Sequence, residues 1–304
     1  MTESVVVVGS VNVDLIVRVP SLPHPGETVI GGAFHRAHGG KGANQAAAAA
    51  RLGAETWIIA CVGDDPFGAE ARQDLESRGV RLPFLGRGKR PTGVAVITVD
   101  HSGQNAIAVA SGANEELDAD AVGRAIGVLD VPRAVVLANL EVSDDAVMAA
   151  TEAAEGRGWP FVLNPAPARP LDRSLVSRCH VLTPNEHEVR ELGMSSVEKV
   201  LNAGADAVAV TRGAEGVDLH RPGRKMHHQP AFPVEVVDTT GAGDAFSATL
   251  AWGIAAGHTL EEAVRLAAAG AAFSTTALGA RSSLADRGQV QQMLAASADL
   301  SVRG

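Results

Sequence analysis

The chain has little aromatic character and no long apolar run. Of its 304 residues, 46% are hydrophobic but only 3% are aromatic, and tyrosine is absent. Small aliphatic side chains must therefore fill its core, which suits close packing of helices against a sheet. No apolar run approaches the ~18 residues that a transmembrane helix requires, so we expect no membrane partner.

Basic charge and cysteine are also scarce. The formal net charge is −9, which argues against nucleic acid as the main partner but not against a small anion bound locally. Cys61 and Cys179 each adjoin a predicted strand, so we expect two buried thiols in a reducing compartment rather than a disulfide. The opening MTESVVVVG has no basic region, and its apolar run is too short for a signal peptide. We therefore expect the protein in the cytoplasm.

Strand-like and helix-like segments alternate along most of the chain. Continuous β-branched runs such as SVVVVGSV and RAVVLAN predict buried strands. An alanine-rich segment from Ala43 predicts a helix that ends at Gly53. Further helices are predicted at about 242–256, 260–276 and 286–297. This alternation predicts a single α/β domain over residues 1–304, with a mainly parallel sheet and helices on both faces.

Two regions break this alternation. Residues 11–37 and 92–112 are rich in strand signals but have no helix between their strands. We predict that they form one small β-sheet inserted into the main domain, with one face free of helices. Such a face must cover a ligand, a partner subunit or both. Between the two regions, Arg87, Lys89 and Arg90 are predicted to lie in a solvated loop.

The strongest motif is VDTTGAGDAFSATL, residues 237–250. Gly241 and Gly243 allow a tight turn that directs backbone N–H groups inward. The helix that follows adds its positive N-terminal end, so the turn can hold an anion. Asp244 at its edge cannot bind that anion, because like charges repel. It is either a general base that takes a proton from a hydroxyl or an N-terminal cap of the helix, and the motif alone favours neither.

Two motifs early in the chain carry polar groups that suit hydroxyls. HGGKGANQ, residues 38–45, is not a Walker A loop, because no Ser or Thr follows its Gly-Lys pair. Lys41 and Asn44 could bond to hydroxyls, or the glycines could simply form a turn into a helix. In GSVNVDLIV, Asn12 and Asp14 share one face of a strand. That pair suits a vicinal diol, although a solvated strand face would look the same.

Two later motifs are weaker signals for a nucleotide. In TPNEHE, Asn185 and Glu188 are three residues apart at a helix start, where they either hold a hydrated Mg²⁺ or form a helix cap. TRGAEGV, residues 211–217, is a strand running into a glycine-rich turn that could meet a nucleotide. His227 and His228 lie on a predicted edge strand and have no third ligand at metal spacing.

Taken in order, these motifs resemble those of the ribokinase-like (PfkB) sugar kinase family. GSVNVD, GGKGANQAAAAARLGA, NPAPA, TPNEHE and DTTGAGDAF follow one another in the order expected of that family, and the resemblance covers essentially the whole chain. It implies a three-layer α/β/α sandwich whose small sheet, about 11–37 and 92–112, is a lid. It also implies phosphoryl transfer from MgATP to the O5 hydroxyl of D-ribose, giving ribose 5-phosphate. An activating K⁺ and a homodimer formed through paired lids are further implications.

The resemblance also assigns roles to individual residues. Asp244 is the implied base, and Gly241, Ala242 and Gly243 are the implied anion-binding turn. The implied sugar-binding residues are Asn12, Asp14, Gly40, Lys41, Gly42, Asn44, Glu141 and Asp244. The implied nucleotide-binding residues are Asn185, Thr211, Arg212, Gly213, Ala214, Glu215, Gly216, Gly243 and Ala268. Glu188 would organise Mg²⁺ through water, and K⁺ would be held, largely by backbone carbonyls, at Asp238, Thr240, Ser274, Ala277, Gly279 and Ser283.

Other functions fit the sequence less well. Within the family, the acceptor could instead be deoxyribose, a ketohexose or a nucleoside. Asn12 and Asp14 favour a sugar with free 2- and 3-hydroxyls, and the few aromatic residues disfavour a nucleoside pocket. A non-catalytic sugar-binding relative would have lost the base or the anion-binding turn, and both are present. A Rossmann dehydrogenase is disfavoured because VVVVGSVNVD lacks G-x-G-x-x-G after the first strand.

Overall fold

Helices and strands alternate through the computed structural model, which describes residues 3–302 and, for 297–302, the backbone alone. The strands are β1 (Ser4–Val8), β2 (Asn12–Arg18), β3 (Phe34–Gly39), β4 (Glu55–Gly63), β5 (Arg81–Gly88), β6 (Gly93–Val99), β7 (Asn105–Ala110), β8 (Val135–Asn139), β9 (Phe161–Asn164), β10 (Val181–Leu182), β11 (Val208–Thr211), β12 (Val217–His220) and β13 (His227–Gln229). The helices are α1 (Lys41–Arg51), α2 (Pro66–Ser77), α3 (Ala119–Val128), α4 (Asp144–Gly156), α5 (Arg173–Val176), α6 (Glu186–Glu191), α7 (Val197–Asn202), α8 (Ala242–Ala255), α9 (Leu260–Ser274) and α10 (Arg287–Val302).

The main sheet is mostly parallel and buried on both faces. Its strand order is β13-β12-β11-β10-β9-β8-β1-β4-β5, and only β12 and β13 run antiparallel to their neighbours. Side chains of β1 alternate between two cores. Val5 and Val7 belong to the core that contains α1, α8 and α9, whereas Val6 and Val8 belong to the core that contains α3 and α4. The predicted three-layer α/β/α sandwich is therefore confirmed.

The predicted second sheet is also present. It has four strands in the order β3-β2-β6-β7, and β3 ends at Gly39, slightly beyond the predicted region. Within it, Asn12 is paired with both Gly39 and Gly93, so the base of this sheet lies where the chain leaves β1. Its outer strand exposes apolar side chains, with Ile107 56% and Val109 53% exposed.

Several elements differ from the sequence-based prediction. The prediction of a solvated loop for Arg87 is wrong, because this residue lies in β5, the edge strand beside β4. Pro83 and the exposed, charged positions of β5 disguise it, and proline is tolerated there because the strand is at an edge. Helix α3 was not predicted, since Gly123 and Gly127 lower its helix propensity. The short helices α5 and α7 were not predicted either.

The predicted helices begin close to their expected positions, although α10 extends to Val302, past the predicted end near 297. Helix α1 begins at Lys41, two residues before the predicted start, and α8 and α9 lie within a residue or two of the predicted bounds. Cys61 and Cys179 are buried free thiols, as expected. Among residues 3–302, no helix combines the length and the apolar character needed to cross a membrane.

Candidate active site

Polar side chains converge where the central parallel strands end. Asn139 ends β8, Asn164 ends β9, and the chain leaving β1 passes Ser10 before it enters β2. At this edge the turn after β1 lies directly against the start of α1. A Cβ on Gly42 would lie only 2.6 Å from the carbonyl carbon of Gly9, so only glycine permits the approach.

Asp244 is buried at the centre of this edge and is held by α1. Its carboxylate accepts hydrogen bonds from Asn44 Nδ2 at 2.9 Å and from Gln45 Nε2 at 3.1 Å. The N-cap of α8 is Gly241, and no side chain caps this helix. The structure therefore decides against the capping interpretation. Burial raises the pKa of Asp244, and the charge of Lys41 is the strongest effect that opposes the rise.

The glycine turn before Asp244 presents free N–H groups. Gly241 has a φ of 78°, in the left-handed region that favours glycine. The N–H of Ala242 is not available, because it donates to the Thr239 carbonyl at 3.1 Å. Within the described chain, the N–H groups of Gly243 and Asp244 have no backbone partner, as is usual in the first turn of a helix. The N–H groups free to bind an anion are thus one residue later than the sequence suggested.

The implied sugar-binding residues lie together beside Asp244. Glu141 accepts from the backbone N–H of Lys41 at 3.0 Å and from the Ser10 hydroxyl. Asn12 accepts from Asn114 Nδ2 at 2.7 Å. Asn12 and Glu141 line one cavity of about 470 Å³. The cavity lies under the second sheet, since Val109 of β7 is also part of its lining.

Asp14 extends this polar face along β2. Its carboxylate lies over Gly39 of β3, where a Cβ would come within 2.1 Å of Oδ1. Burial raises the pKa of Asp14 to about 6; Arg281 opposes the rise, and Glu141 and Asp244 add to it. Asn12 and Asp14 therefore form part of a partly desolvated site and not a fully solvated strand face.

Lys41 supplies positive charge among these acids. Burial alone would lower its pKa, but the carboxylates of Asp244, Glu141 and Glu188 act in the opposite direction, and the pKa of Lys41 is raised overall. The ammonium group therefore stays protonated at neutral pH. It offsets part of the negative charge that Asp244 and Glu141 bring to the site.

The raised pKa of Asp14 predicts a pH-dependent stability change in Asp14→Asn. The folded pKa exceeds the unfolded value, so the cost of ionising the buried group is absent at low pH and complete above the folded pKa. A shift of about two units corresponds to up to about 3 kcal/mol. We expect Asp14→Asn to raise the free energy of unfolding by up to this amount at pH 8 and by roughly half of it at pH 5.

Urea denaturation of the ligand-free protein at both pH values measures this difference. Asp64→Asn is the matched control, because the Asp64 side chain is 78% exposed and we expect its replacement to have the same small effect at both pH values. A gain for Asp14→Asn that is no larger at pH 8 than at pH 5 would contradict the raised pKa.

Asn185 and Glu188 form a helix cap. Asn185 Oδ1 accepts from the Glu188 N–H and Glu188 Oε2 accepts from the Asn185 N–H, both at 2.8 Å, which makes a complete capping box at the start of α6. The capping interpretation is therefore confirmed. Burial raises the pKa of Glu188, and the charge of Lys41 lowers it, so this carboxylate also lies within electrostatic reach of the site.

The implied nucleotide segment lies next to this cap. Thr211 donates its N–H to the Pro184 carbonyl at 2.9 Å, and a short 3₁₀ turn follows at Gly213–Glu215. The Arg212 guanidinium pairs with Glu186, Glu215 and Asp218. Its donors are largely occupied by these acids, so the backbone of the turn is a better candidate for nucleotide contact than the Arg212 side chain. Ala268 is buried in α9.

Hydrogen bonds connect several of the implied K⁺ residues. Asp238 accepts from the N–H groups of Thr240 at 2.9 Å and Gly279 at 2.8 Å, and the Ser283 hydroxyl donates to the Ser274 carbonyl. Ala277 lies in the same loop. Asp238 and Asp244 therefore contact different groups. Among the described residues, no cluster of three or more His, Cys, Asp or Glu side chains could hold a metal ion.

Several residues at the site were not singled out from the sequence. Gln45 donates to Asp244 and to Asn164 Oδ1, both at 3.1 Å, and accepts from Asn139 Nδ2 at 3.3 Å. Arg281 donates to Asn44 Oδ1 at 2.8 Å. Gln45 stands inside the GGKGANQ motif, which was the available signal, whereas Arg281 stands in ALGARSS, where nothing distinguishes it from a surface arginine.

Comparison with known proteins identifies the family. Residues 2–287 match the pfkB family carbohydrate kinases, and the chain belongs to that family. It is 36% identical to the ribokinase of Bacillus subtilis over 295 residues, which cover 96% of this chain and 99% of that protein. It is 37% identical to the deoxyribokinase of Salmonella typhi over 291 residues, covering 92% and 94%.

A solved structure agrees with these relatives. The structure of Arabidopsis thaliana ribokinase complexed with ribose and ATP superimposes with a TM-score of 0.85 at 33% identity, covering 97% of this chain and 99% of that one.

Proposed function

We propose that this protein phosphorylates D-ribose at O5 with ATP, giving D-ribose 5-phosphate. The observation that carries the proposal is the position of Asp244, which is buried, held by two amides and adjacent to a turn with free N–H groups. The Bacillus subtilis relative and the Arabidopsis complex with ribose and ATP support ribose as acceptor and ATP as donor.

The geometry supports a simple division of roles. Asp244 accepts the proton of the O5 hydroxyl as that oxygen attacks the γ-phosphorus, and the bond from phosphorus to the ADP oxygen breaks. The N–H groups of Gly243 and Asp244 face the negative charge of the transferred group. The Lys41 ammonium adds a positive charge to the same site. The second sheet, acting as a lid over the cavity, excludes water that would compete as acceptor.

Recognition of the acceptor rests on polar residues in the cavity and beside it. Asn12, Asp14 and Glu141 offer carboxylate and amide groups on one side, and hydroxyls of a pentose can donate to the acids and bond both ways with the amide. Gly40, Gly42 and the Asn44 amide complete the boundary near the base. Because the Salmonella typhi relative is a deoxyribokinase, 2-deoxy-D-ribose is the second candidate acceptor.

The donor nucleotide and cations have candidate positions on the other side of Asp244. The adenine nucleotide is proposed to lie along residues 211–216 and Asn185, near Ala268. Glu188 suits Mg²⁺ held through water, because one of its carboxylate oxygens is already used by the helix cap. When bound, Mg²⁺ would neutralise phosphate charge.

A monovalent cation fits the loop that Asp238 organises. Asp238, Thr240, Ser274, Ala277, Gly279 and Ser283 offer one carboxylate, hydroxyls and backbone carbonyls, a hard oxygen donor set that suits K⁺. A cation there would help to hold the glycine turn, because Ala280 of the same loop lies against Gly241, where an added Cβ would be 2.7 Å from that of Ala280.

The exposed face of the second sheet is proposed to pair with the lid of a second copy of this chain. Phe34 and Val96 are each about half exposed or more and lie on the face of the sheet opposite to Asp14, and exposed apolar side chains of this kind favour burial in an interface. Sedimentation equilibrium of the wild type and of Val96→Lys tests this pairing. We expect the wild type to be a dimer and Val96→Lys to dimerise more weakly, and a monomeric wild type would end the proposal. The buried free thiols fit a cytoplasmic location, which fractionation of the host cell would check.

An ADP-release assay over a panel of acceptors tests the function. We expect D-ribose to give the highest kcat/KM, with 2-deoxy-D-ribose, D-fructose and inosine well below it. EDTA should abolish turnover, and replacing K⁺ with a bulky organic cation should reduce it. A panel in which D-ribose is not among the best acceptors would overturn the assignment of substrate, and a higher kcat/KM for 2-deoxy-D-ribose would favour the second candidate.

A further inference from the structure

Arg281 is a buried arginine that no step of the proposed reaction uses. Its side chain is only 5% exposed, yet it lies in the loop between α9 and α10. Each nitrogen of the guanidinium has a defined acceptor: Nε donates to Asn44 Oδ1 at 2.8 Å, Nη2 to the Gly39 carbonyl at 2.7 Å and Nη1 to Asp74 Oδ2 at 2.6 Å. Burying an arginine is costly unless its donors are satisfied in this way.

The first of these bonds determines how the Asn44 amide is oriented. Asn44 accepts from Arg281 through Oδ1 and donates to Asp244 through Nδ2. If the amide were rotated by 180°, its NH₂ group would face the guanidinium donor and its oxygen would face the carboxylate, and both contacts would be repulsive. Arg281 therefore fixes the donor that holds Asp244.

The second bond holds the backbone that leads into the sugar-binding residues. Gly39 ends β3, is paired with Asn12 and lies under the Asp14 carboxylate. The chain continues from there through Lys41 to Asn44. We call residues 39–44, which run from the end of β3 into the first turn of α1, the acceptor loop. Arg281 thus holds both ends of the acceptor loop, one through a carbonyl and the other through a side chain.

The third bond joins Arg281 to Asp74 of α2 and is a buried ion pair that has no direct link to the site. Asp74 has a second cationic partner, because it also accepts from Arg78 Nε at 2.9 Å. Neither Asp74 nor Arg78 hydrogen-bonds to the acceptor loop. Structural anchoring by Asp74 and positioning of the acceptor loop by Arg281 can therefore be separated by substitution.

We propose that Arg281 is a positioning residue for phosphoryl transfer: it holds the acceptor loop and orients the Asn44 amide toward Asp244. The kinetic effects expected from this role rest on the proposed function. Ala280, the preceding residue, packs against Gly241 of the anion-binding turn, so the same loop contacts both the donor side and the acceptor side of the site. Arg281 touches neither substrate and acts through Asn44 and Gly39.

Arg281→Lys and Asp74→Asn make a matched pair for the test. Lysine keeps the charge but cannot place three donors in the fork of a guanidinium, whereas Asp74→Asn removes the ion pair and leaves the bonds to Asn44 and Gly39. We expect Arg281→Lys to raise the KM for D-ribose and to lower kcat by roughly tenfold each, with the KM for ATP changed less than about threefold. Asp74→Asn should lower the Tm but leave all three constants within about twofold.

Hydrogen exchange provides a readout that does not depend on activity. The amides of residues 39–44 should exchange faster in Arg281→Lys than in the wild type, and they should be unchanged in Asp74→Asn. A KM for ribose within twofold of the wild type in Arg281→Lys, or the same kinetic change in both variants, would show that Arg281 is only a structural ion-pair partner. If the wild type phosphorylates no sugar, the proposed function fails, and the exchange comparison still decides the role of Arg281: faster exchange in Arg281→Lys alone supports it, and equal exchange in the two variants overturns it.

Discussion

Replacing Asp244 with asparagine should lower kcat by about 10³-fold, within the range of roughly 10² to 10⁴ that general-base catalysis contributes. Asparagine keeps the size of the side chain but cannot take the proton of the attacking hydroxyl. The affinity for D-ribose, measured by titration calorimetry, should stay within a few-fold, because Asn12, Asp14 and Glu141 are unchanged. The fold should also persist, since burial raises the pKa of Asp244 and removing a buried charge relieves that cost.

The control is Asp118→Asn, a carboxylate that caps α3 by accepting from the Ala121 N–H at 3.1 Å. Asparagine is an equally good N-cap, so this variant should match the wild type in turnover and in Tm. Turnover of Asp244→Asn within tenfold of the wild type would remove Asp244 as the base. A parallel loss of ribose binding would instead make Asp244 chiefly a binding residue.

Local sequence patterns predicted the fold because each strand and helix carries its own signal. Runs such as VVVV in β1 are buried on both faces of a parallel sheet, and the alanine-rich runs of α1 and α8 follow glycine turns. Elements with a weak local signal were missed, because the prediction depended on that signal. Pro83 and two glycines in β5, and the glycines of α3, reduce propensity where contacts with the rest of the chain still hold the element.

The site was predictable where function requires a distinctive short motif, and not where it requires a distant partner. Asn44 and Asp244 stand in recognisable motifs, but the bond between Asn44 and Arg281 joins residues 237 positions apart. The hydrogen bond that places Gln45 against Asp244 spans 199 positions. Pairing of this kind depends on how α1, α8 and the loop after α9 pack together, which periodicity and composition do not encode.

The sequence also could not show which N–H groups of the glycine turn are free. The sequence shows that residues 241–243 can turn sharply, but not which N–H the turn itself consumes. The bond from Ala242 to the Thr239 carbonyl uses the first donor, so the open donors are those of Gly243 and Asp244. The residue proposed as base therefore also contributes its own backbone N–H to the turn that is proposed to bind the anion.

Lys41→Met should be the second most damaging substitution, with kcat/KM lowered by roughly 10²- to 10³-fold, as for loss of one transition-state charge stabiliser. Methionine approximates the length and volume of the lysine chain but carries no charge. The backbone N–H of residue 41 still donates to Glu141, and α1 still begins at this position, so the fold should be retained. Lys199→Met in α7, where the ammonium bonds to the exposed Ser195, should have little effect.

The pH profile separates an electrostatic role of Lys41 from a purely packing role. Lys41 is the strongest influence that lowers the pKa of Asp244 against the effect of burial. Without this positive charge the pKa of Asp244 rises further, and because the ionised carboxylate is the base, the acid limb of kcat/KM should move to higher pH. Lys41→Arg restores the charge and should return the limb toward its wild-type position while recovering only part of kcat, since the guanidinium is larger and planar. An acid limb that does not move in Lys41→Met would mean that the charge of Lys41 does not affect the pKa of Asp244. The loss of rate would then reflect only the lost stabilisation of the transferred phosphoryl group.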